Sequence, residues 1–85
     1  MRVLIPSPLH DYTHAPRVDA RGATLGALLD DLDRQFPGIR FRIVDEQGRI
    51  RRHMRCFIDG TQQFALDRPL NGVEEVVIVQ ALSGG

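Results

Sequence analysis

The sequence contains no lysine and no tryptophan, a single cysteine and no net charge. All eleven basic residues are arginine, so no side chain can offer an amine for an isopeptide bond, and lysine-linked chains of this protein with itself are excluded. A coding sequence rich in G and C gives the same bias. The lone Cys56 excludes an internal disulfide. Eleven acidic residues balance the eleven arginines, which argues against a dedicated nucleic-acid binder and gives no electrostatic reason to sit on an acidic membrane. No apolar run approaches the length of a membrane span. The opening Met1-Arg2-Val3-Leu4-Ile5-Pro6 is too short, and too soon broken by proline, to be a secretory signal. These absences together place the expected protein in the cytoplasm.

What is present is ordinary for a folded domain. The 85 residues suit one domain with a modest core, and 42% hydrophobic with 26% charged residues is a globular rather than a disordered balance. Residues 2–6 are apolar or β-branched and stop at Pro6, which predicts a first strand. Residues 7–16, with Pro8, Pro16, Asp11 and two histidines, predict a loop, and Arg17-Val18-Asp19 a short strand paired with the first. Thr24 is placed to N-cap a helix, because Leu25, Leu28, Leu29, Leu32 and Phe36 then recur on one face until Pro37-Gly38 ends it. Asp30, Asp31 and Asp33 lie off that stripe and should face water. Residues 39–52 alternate poorly, with a turn at Asp45-Glu46-Gln47-Gly48. A strand over His53 to Asp59 would put Met54, Cys56 and Ile58 on one face. A weak strand is expected near Gln62–Ala65, a loop at Pro69, Asn71 and Gly72, and a final strand over Glu75 to Gln80. One helix covering one face of one mixed sheet of four to five strands is a two-layer α+β domain. Its most apolar strands, the first and the last, should lie side by side at the centre.

The ending Gly84-Gly85 is the chemical candidate. Lacking a Cβ, glycines adopt extended conformations of either φ sign and thread channels closed to larger residues. A terminal carboxylate becomes useful once ATP activates it as an acyl adenylate, from which a sulfur or nitrogen nucleophile displaces AMP. On its own a terminal Gly-Gly is also what a frayed end looks like; its position directly after the last strand of a β-β-α-β-β domain gives it weight.

The element order and the ending Val76-Val77-Ile78-Val79-Gln80-Ala81-Leu82-Ser83-Gly84-Gly85 resemble the ubiquitin-like β-grasp sulfur carriers. These include the molybdopterin synthase small subunit, the thiamine-pathway carrier and the carrier of a thiocarboxylate-dependent cysteine route. Ala23-Thr24-Leu25-Gly26-Ala27-Leu28-Leu29-Asp30-Asp31-Leu32 resembles their helix, and Phe36-Pro37-Gly38-Ile39 the exit after it. The insert at 40–52 looks most like the cysteine-route carrier. The resemblance implies a β-grasp domain over 1–81 and a flexible tail over 82–85. It implies that Gly85 is adenylated by an E1-like adenylyltransferase/sulfurtransferase and converted to a thiocarboxylate, with Gly84 letting the tail enter partner active sites. It further implies a protein co-substrate rather than an enzyme, a sulfur-accepting synthase as second partner, no bound cofactor (ATP being used by the activating partner) and a monomer when free. Leu82-Ser83 stands where these proteins often have a valine and a small residue, and is expected to follow the tail into the partner.

The strand pattern gives an independent reason to expect a partner. If Val76 and Ile78 face the helix, Val77 and Val79 face away, with Leu4 and Phe57 on the same side. A sheet with one helical cover exposes these residues, and such an apolar group marks a binding surface unless residues 40–52 fold over it. Other candidates are weaker. Cys56 should point into the core and behave as a small hydrophobe. His10 and His14 have metal-ligand spacing only on a helix, which the flanking prolines oppose, so no metal site is expected. Arg40, Arg42, Arg49, Arg51, Arg52 and Arg55 form a cluster without the aromatics of a nucleic-acid platform, and suit a solvated face or a protein-docking patch. Three rival readings remain: a β-grasp adaptor that docks through its open face and is never activated, a small subunit of a larger enzyme, and a modifier attached to other proteins.

Overall fold

In a computed structural model, which describes residues 1–81, the chain forms nine short elements. They are strand β1 (Arg2–Leu4), a 3-10 turn (Ser7–Leu9), helix α1 (His10–Thr13), strand β2 (Arg17–Asp19), helix α2 (Leu25–Gln35), helix α3 (Ile39–Ile43), and strands β3 (Met54–Ile58), β4 (Thr61–Gln63) and β5 (Glu75–Gln80). The strands make one sheet in the order β2-β1-β5-β3-β4. β1 and β5 run parallel side by side, with Val3 opposite Val76, while β1–β2, β3–β5 and β3–β4 are antiparallel. The sheet is therefore mixed and five-stranded, with the most apolar strand, β5, in the middle.

α2 forms for the reasons its sequence implies. Thr24 is extended at the N-cap, and its Oγ1 accepts a hydrogen bond from the Ala27 amide at 3.1 Å. The other early amides find partners outside the helix: Leu25 N–H donates to the Arg68 carbonyl at 3.0 Å and Gly26 N–H to the Leu66 carbonyl at 2.7 Å. The loop before β5 is thus held by the open end of α2. Gly22 is pressed against the same turn, since a Cβ there would lie 2.3 Å from the Leu28 amide nitrogen and 2.6 Å from the Ala27 carbonyl carbon. Leu25, Leu28, Leu29 and Leu32 are fully buried against Val3, Met54, Cys56, Ile58, Val76 and Ile78 from one face of the sheet. Each such side chain contributes on the order of 1.5–3 kcal/mol. Phe36 is only partly buried and closes the helix as its C-cap.

Several expectations from sequence need correction. Residues 7–16 are not a plain loop: Pro8 sits in the first turn of the 3-10 segment, where its missing N–H costs nothing. The chain continues into α1, which ends where His14 takes a left-handed φ of 56°. Residues 39–43 form a helix, too short for a periodicity to show. Gly38, at φ 98°, turns the chain into it, and Ile39 and Ile43 lie one turn apart in the core. This segment packs on the α2 side, so it does not cover the outer face of the sheet. The acidic residues of α2 are not simply wetted. Asp31 accepts the Arg21 amide at 3.0 Å, which holds its carboxyl below the ordinary range. Asp33 accepts the amides of Gly38 and Arg40, both at 3.1 Å, and Asp30 pairs with Arg40 at 2.8 Å. The fourth strand lies at 61–63, slightly ahead of its expected place.

Two substitutions check this account in urea melts. Thr24→Ala should lower stability by about 1 kcal/mol through loss of the cap, and Leu29→Ala by about 2–5 kcal/mol through the cavity it leaves. Gly22→Ala should cost about 1–3 kcal/mol although it adds only a methyl group, because backbone rather than a mobile side chain stands in its way; an unchanged midpoint would contradict the close approach.

Candidate functional site

The one-sided cover divides β5 by parity. Val76 and Ile78 point inward and are buried, while Val77 and Val79 point outward and are half-buried. Register carries the outward residues into a row. Leu4 of β1 lies opposite Val77, which lies opposite Phe57 of β3, and Arg55 lies opposite Val79. Leu4, Phe57, Val77 and Val79 form an apolar strip across three strands, and all four are partly exposed. Arg17 extends the row on β2 and Gln62 on β4. At the start of β5 the strip is closed by Arg2 and Glu75, paired at 3.0 Å.

The other end of β5 is where the chain leaves the sheet. The Ala81 amide donates to the His53 carbonyl at 2.7 Å, which extends the β3–β5 ladder one residue beyond Gln80. Beside this point lies a groove of about 400 Å³ lined by Leu9, Asp11, Tyr12, Arg42, His53 and Gln80, among others. Arg42 Nε donates to the Tyr12 hydroxyl at 2.9 Å, joining α3 to α1 across it. This groove escaped sequence reasoning because two of its walls, α1 and α3, were not legible as helices. The strand register does imply the placement of His53 and Gln80.

Of the residues singled out from sequence, Leu4, Phe57, Val77 and Val79 are therefore brought together, while Leu82, Ser83, Gly84 and Gly85 lie outside the described residues. Cys56 is fully buried in the core and apart from the strip, and burial pushes its thiol up to about 11. His10 Nε2 lies 2.8 Å from the Ile5 carbonyl, and among the described residues no group of three or more His, Cys, Asp or Glu side chains is placed to hold a metal. No helix among them is long and apolar enough to cross a membrane.

A mixed five-stranded sheet wrapped on one face by a capped helix, with an apolar outer strip and the chain leaving from the middle strand, defines a ubiquitin-like β-grasp protein. The ThiS family model matches residues 3–85, and the chain belongs to that family. It is 32% identical to the sulfur carrier protein CysO of Mycobacterium tuberculosis over 98% of this chain and 96% of that protein. The crystal structure of Mycobacterium tuberculosis CysO superposes with a TM-score of 0.88 at 28% identity, covering 95% of this chain and 98% of that one. The crystal structure of the Amycolatopsis orientalis BexX/CysO complex matches with a TM-score of 0.86 at 27% identity, covering 99% and 98%. SAMP1 from Haloferax volcanii matches with a TM-score of 0.77 at 26% identity, covering 100% and 98%.

The burial of Cys56 has a measurable consequence. In the folded protein at pH 8 it should react with a thiol reagent such as dithionitrobenzoate orders of magnitude more slowly than in urea. Because the unfolded thiol titrates near its ordinary 9.0 and the folded one near 11, the unfolded chain loses its proton first, and stability should fall as pH rises between these values. Rapid labelling of the native protein at pH 8 would place Cys56 at the surface instead.

Proposed function

We propose that this chain is a sulfur carrier, a protein co-substrate whose Gly85 carboxylate is adenylated by an E1-like enzyme and then converted to a thiocarboxylate. The observation that carries the reading is that the family match runs through to residue 85 and so includes Gly84-Gly85. In the first step a carboxylate oxygen of Gly85 attacks the α-phosphorus of ATP on the activating enzyme, and pyrophosphate leaves. In the second a sulfide-level nucleophile attacks the acyl carbon, AMP leaves, and one terminal oxygen has been exchanged for sulfur. The thiocarboxylate then gives its sulfur to a synthase. The mycobacterial relatives' name favours cysteine formation as the destination, with molybdopterin or another sulfur-containing product as alternatives. The chain supplies no catalytic group to these steps; it supplies a thin, side-chain-free end and a surface by which the enzymes hold it. No cofactor is held by the carrier itself, ATP being bound by the activating partner.

The strip of Leu4, Phe57, Val77 and Val79 is the surface we assign to that docking, because it is apolar, partly exposed and continuous with the strand from which the tail departs. Leu82 and Ser83 would follow it into the partner's channel. The BexX/CysO complex supports the idea that a protein of this shape is read by a protein partner. The absence of any requirement for a disulfide is compatible with work in the cytoplasm.

With its activating enzyme, ATP and sulfide, the full chain should gain in intact mass the difference between sulfur and oxygen. A chain lacking Gly85 should not, while keeping the same urea midpoint. Val77→Asp or Phe57→Asp should reduce activation at subsaturating carrier by about tenfold or more, as expected for the centre of an interface. If Val77→Asp abolishes partner binding while removal of Gly84-Gly85 leaves it intact and the full chain is never thiolated, the protein is a docking module only.

A further inference from the structure

The zero net charge conceals a polarity along β5. Its starting end carries Glu74 and Glu75, with Asp59 joined to it by the Asp59 amide on the Glu75 carbonyl at 3.1 Å. Its far end carries arginine. Arg55 stands opposite Val79 and donates to the Arg52 carbonyl, His53 holds Ala81, and Arg42 lines the neighbouring groove. Among the described residues the ion pairs engage Arg2, Arg34 and Arg40; none engages Arg42, Arg51, Arg52 or Arg55. The carboxylate of Asp45 accepts the amides of Gln47 and Arg49, at 2.9 and 3.0 Å, and stays ionised, with Arg49 and Arg51 close enough to help hold its carboxyl below the ordinary range. Asp11 is the one carboxylate lining the groove.

Among the described residues, Arg42 and Arg55 are held by neutral groups rather than by carboxylates. Arg42 is anchored through Nε to Tyr12, Arg55 to the Arg52 carbonyl, and Arg51 through Nε to the Phe41 carbonyl at 2.7 Å, with its guanidinium 4.5 Å from the Phe41 ring centroid. Each bond is to a neutral acceptor, so the charge survives while much of the side-chain freedom is already spent. These charges stand at the end of the domain where Ala81 leaves the sheet, the end nearest in sequence to the terminus that a partner enzyme would receive.

Resting on the carrier reading above, we propose that Arg42, Arg52 and Arg55 form a cationic docking surface that fits an acidic rim around the tail channel of the activating enzyme. Its role is to orient the carrier during approach, so that the end bearing Gly85 faces the channel and the end bearing Glu74 and Glu75 faces away. The apolar strip then supplies the short-range contact. An acidic protein surface is favoured over a nucleic acid because the charge is confined to one end and the exposed Phe41 is already stacked under Arg51.

The test measures association of the full chain with its activating enzyme by stopped flow, from about 50 mM to about 500 mM salt, a range over which screening of surface charge becomes nearly complete. The combined variant Arg42→Gln, Arg52→Gln, Arg55→Gln should associate about tenfold or more slowly at low salt and show a flattened salt dependence. Circular dichroism should confirm that it folds, and Glu74→Gln should leave the rate unchanged or slightly raised. An association rate and salt slope equal to wild type in the folded triple variant would overturn the proposal. So would tight, salt-dependent binding of the wild type to a mixed-sequence RNA or DNA oligonucleotide that the triple variant loses. If the wild-type chain is not thiolated even at saturating enzyme, the carrier reading itself fails; if it is thiolated and the triple variant associates normally, only the cationic dock fails.

Discussion

The parallel pairing of β1 with β5 is the constraint on which the rest of this fold depends. It joins the first structured residues to the last, setting Val3 beside Val76 and Leu4 beside Val77. Parallel neighbours cannot be linked by a tight hairpin, so the intervening chain has to travel around the sheet. It uses that path to lay α2 and α3 across one face and to return as β3 and β4 on the far side of β5. The same pairing puts the strand that leads to the end of the chain in the middle of the sheet, between β1 and β3.

From that arrangement the two faces acquire different tasks. The inner face is closed by four leucines of α2 and two isoleucines of α3, and it accounts for stability. The outer face keeps Leu4, Phe57, Val77 and Val79 partly exposed because no layer of the described structure lies over them. Alternation along a strand makes both faces apolar when valine and isoleucine run consecutively, as in Val76-Val77-Ile78-Val79, so a buried and an available surface are built from adjacent residues. Charge divides along the other axis, with Glu74 and Glu75 where β5 begins and, near where it ends, Arg52 and Arg55, which no carboxylate among the described residues pairs.

Much of the fold was legible because the longer elements carry strong local signals. The leucine spacing of α2, the Thr24 cap and the apolar run of β5 each point to one structure without help from the rest of the chain. The short helices were not legible. Five residues of α3 offer one repeat, Ile39 to Ile43, which is also compatible with a loop or a strand. Around α1 the prolines read as breakers, although Pro8 sits harmlessly in the first turn of the 3-10 segment before it and Pro16 lies after it. The acidic residues of α2 looked like a solvated face because partners of Asp31 and Asp33 are backbone amides at Arg21, Gly38 and Arg40, and that of Asp30 is the Arg40 side chain, all of which come near only when the chain folds back. Sequence alone brought out the apolar strip, since it follows from strand parity; the groove at the far end of β5 needed walls from α1 and α3.

The sequence by itself determined the helix that covers the sheet, the identity of the central strand, the two apolar parities of β5 and the glycines that end the chain. Those features rest on residues close together, whose periodicity and conformational preferences act before any long-range contact forms. Only the tertiary structure decided which arginines meet a carboxylate among the described residues and which do not, because an ion pair depends on where a distant carboxylate is carried. Arg40 meets Asp30 across a helix contact and Arg2 meets Glu75 across a strand pair, while Arg42 and Arg55 meet neutral oxygens. A chain of zero net charge therefore presents a cationic end, a property that composition averages away and that folding creates by placement.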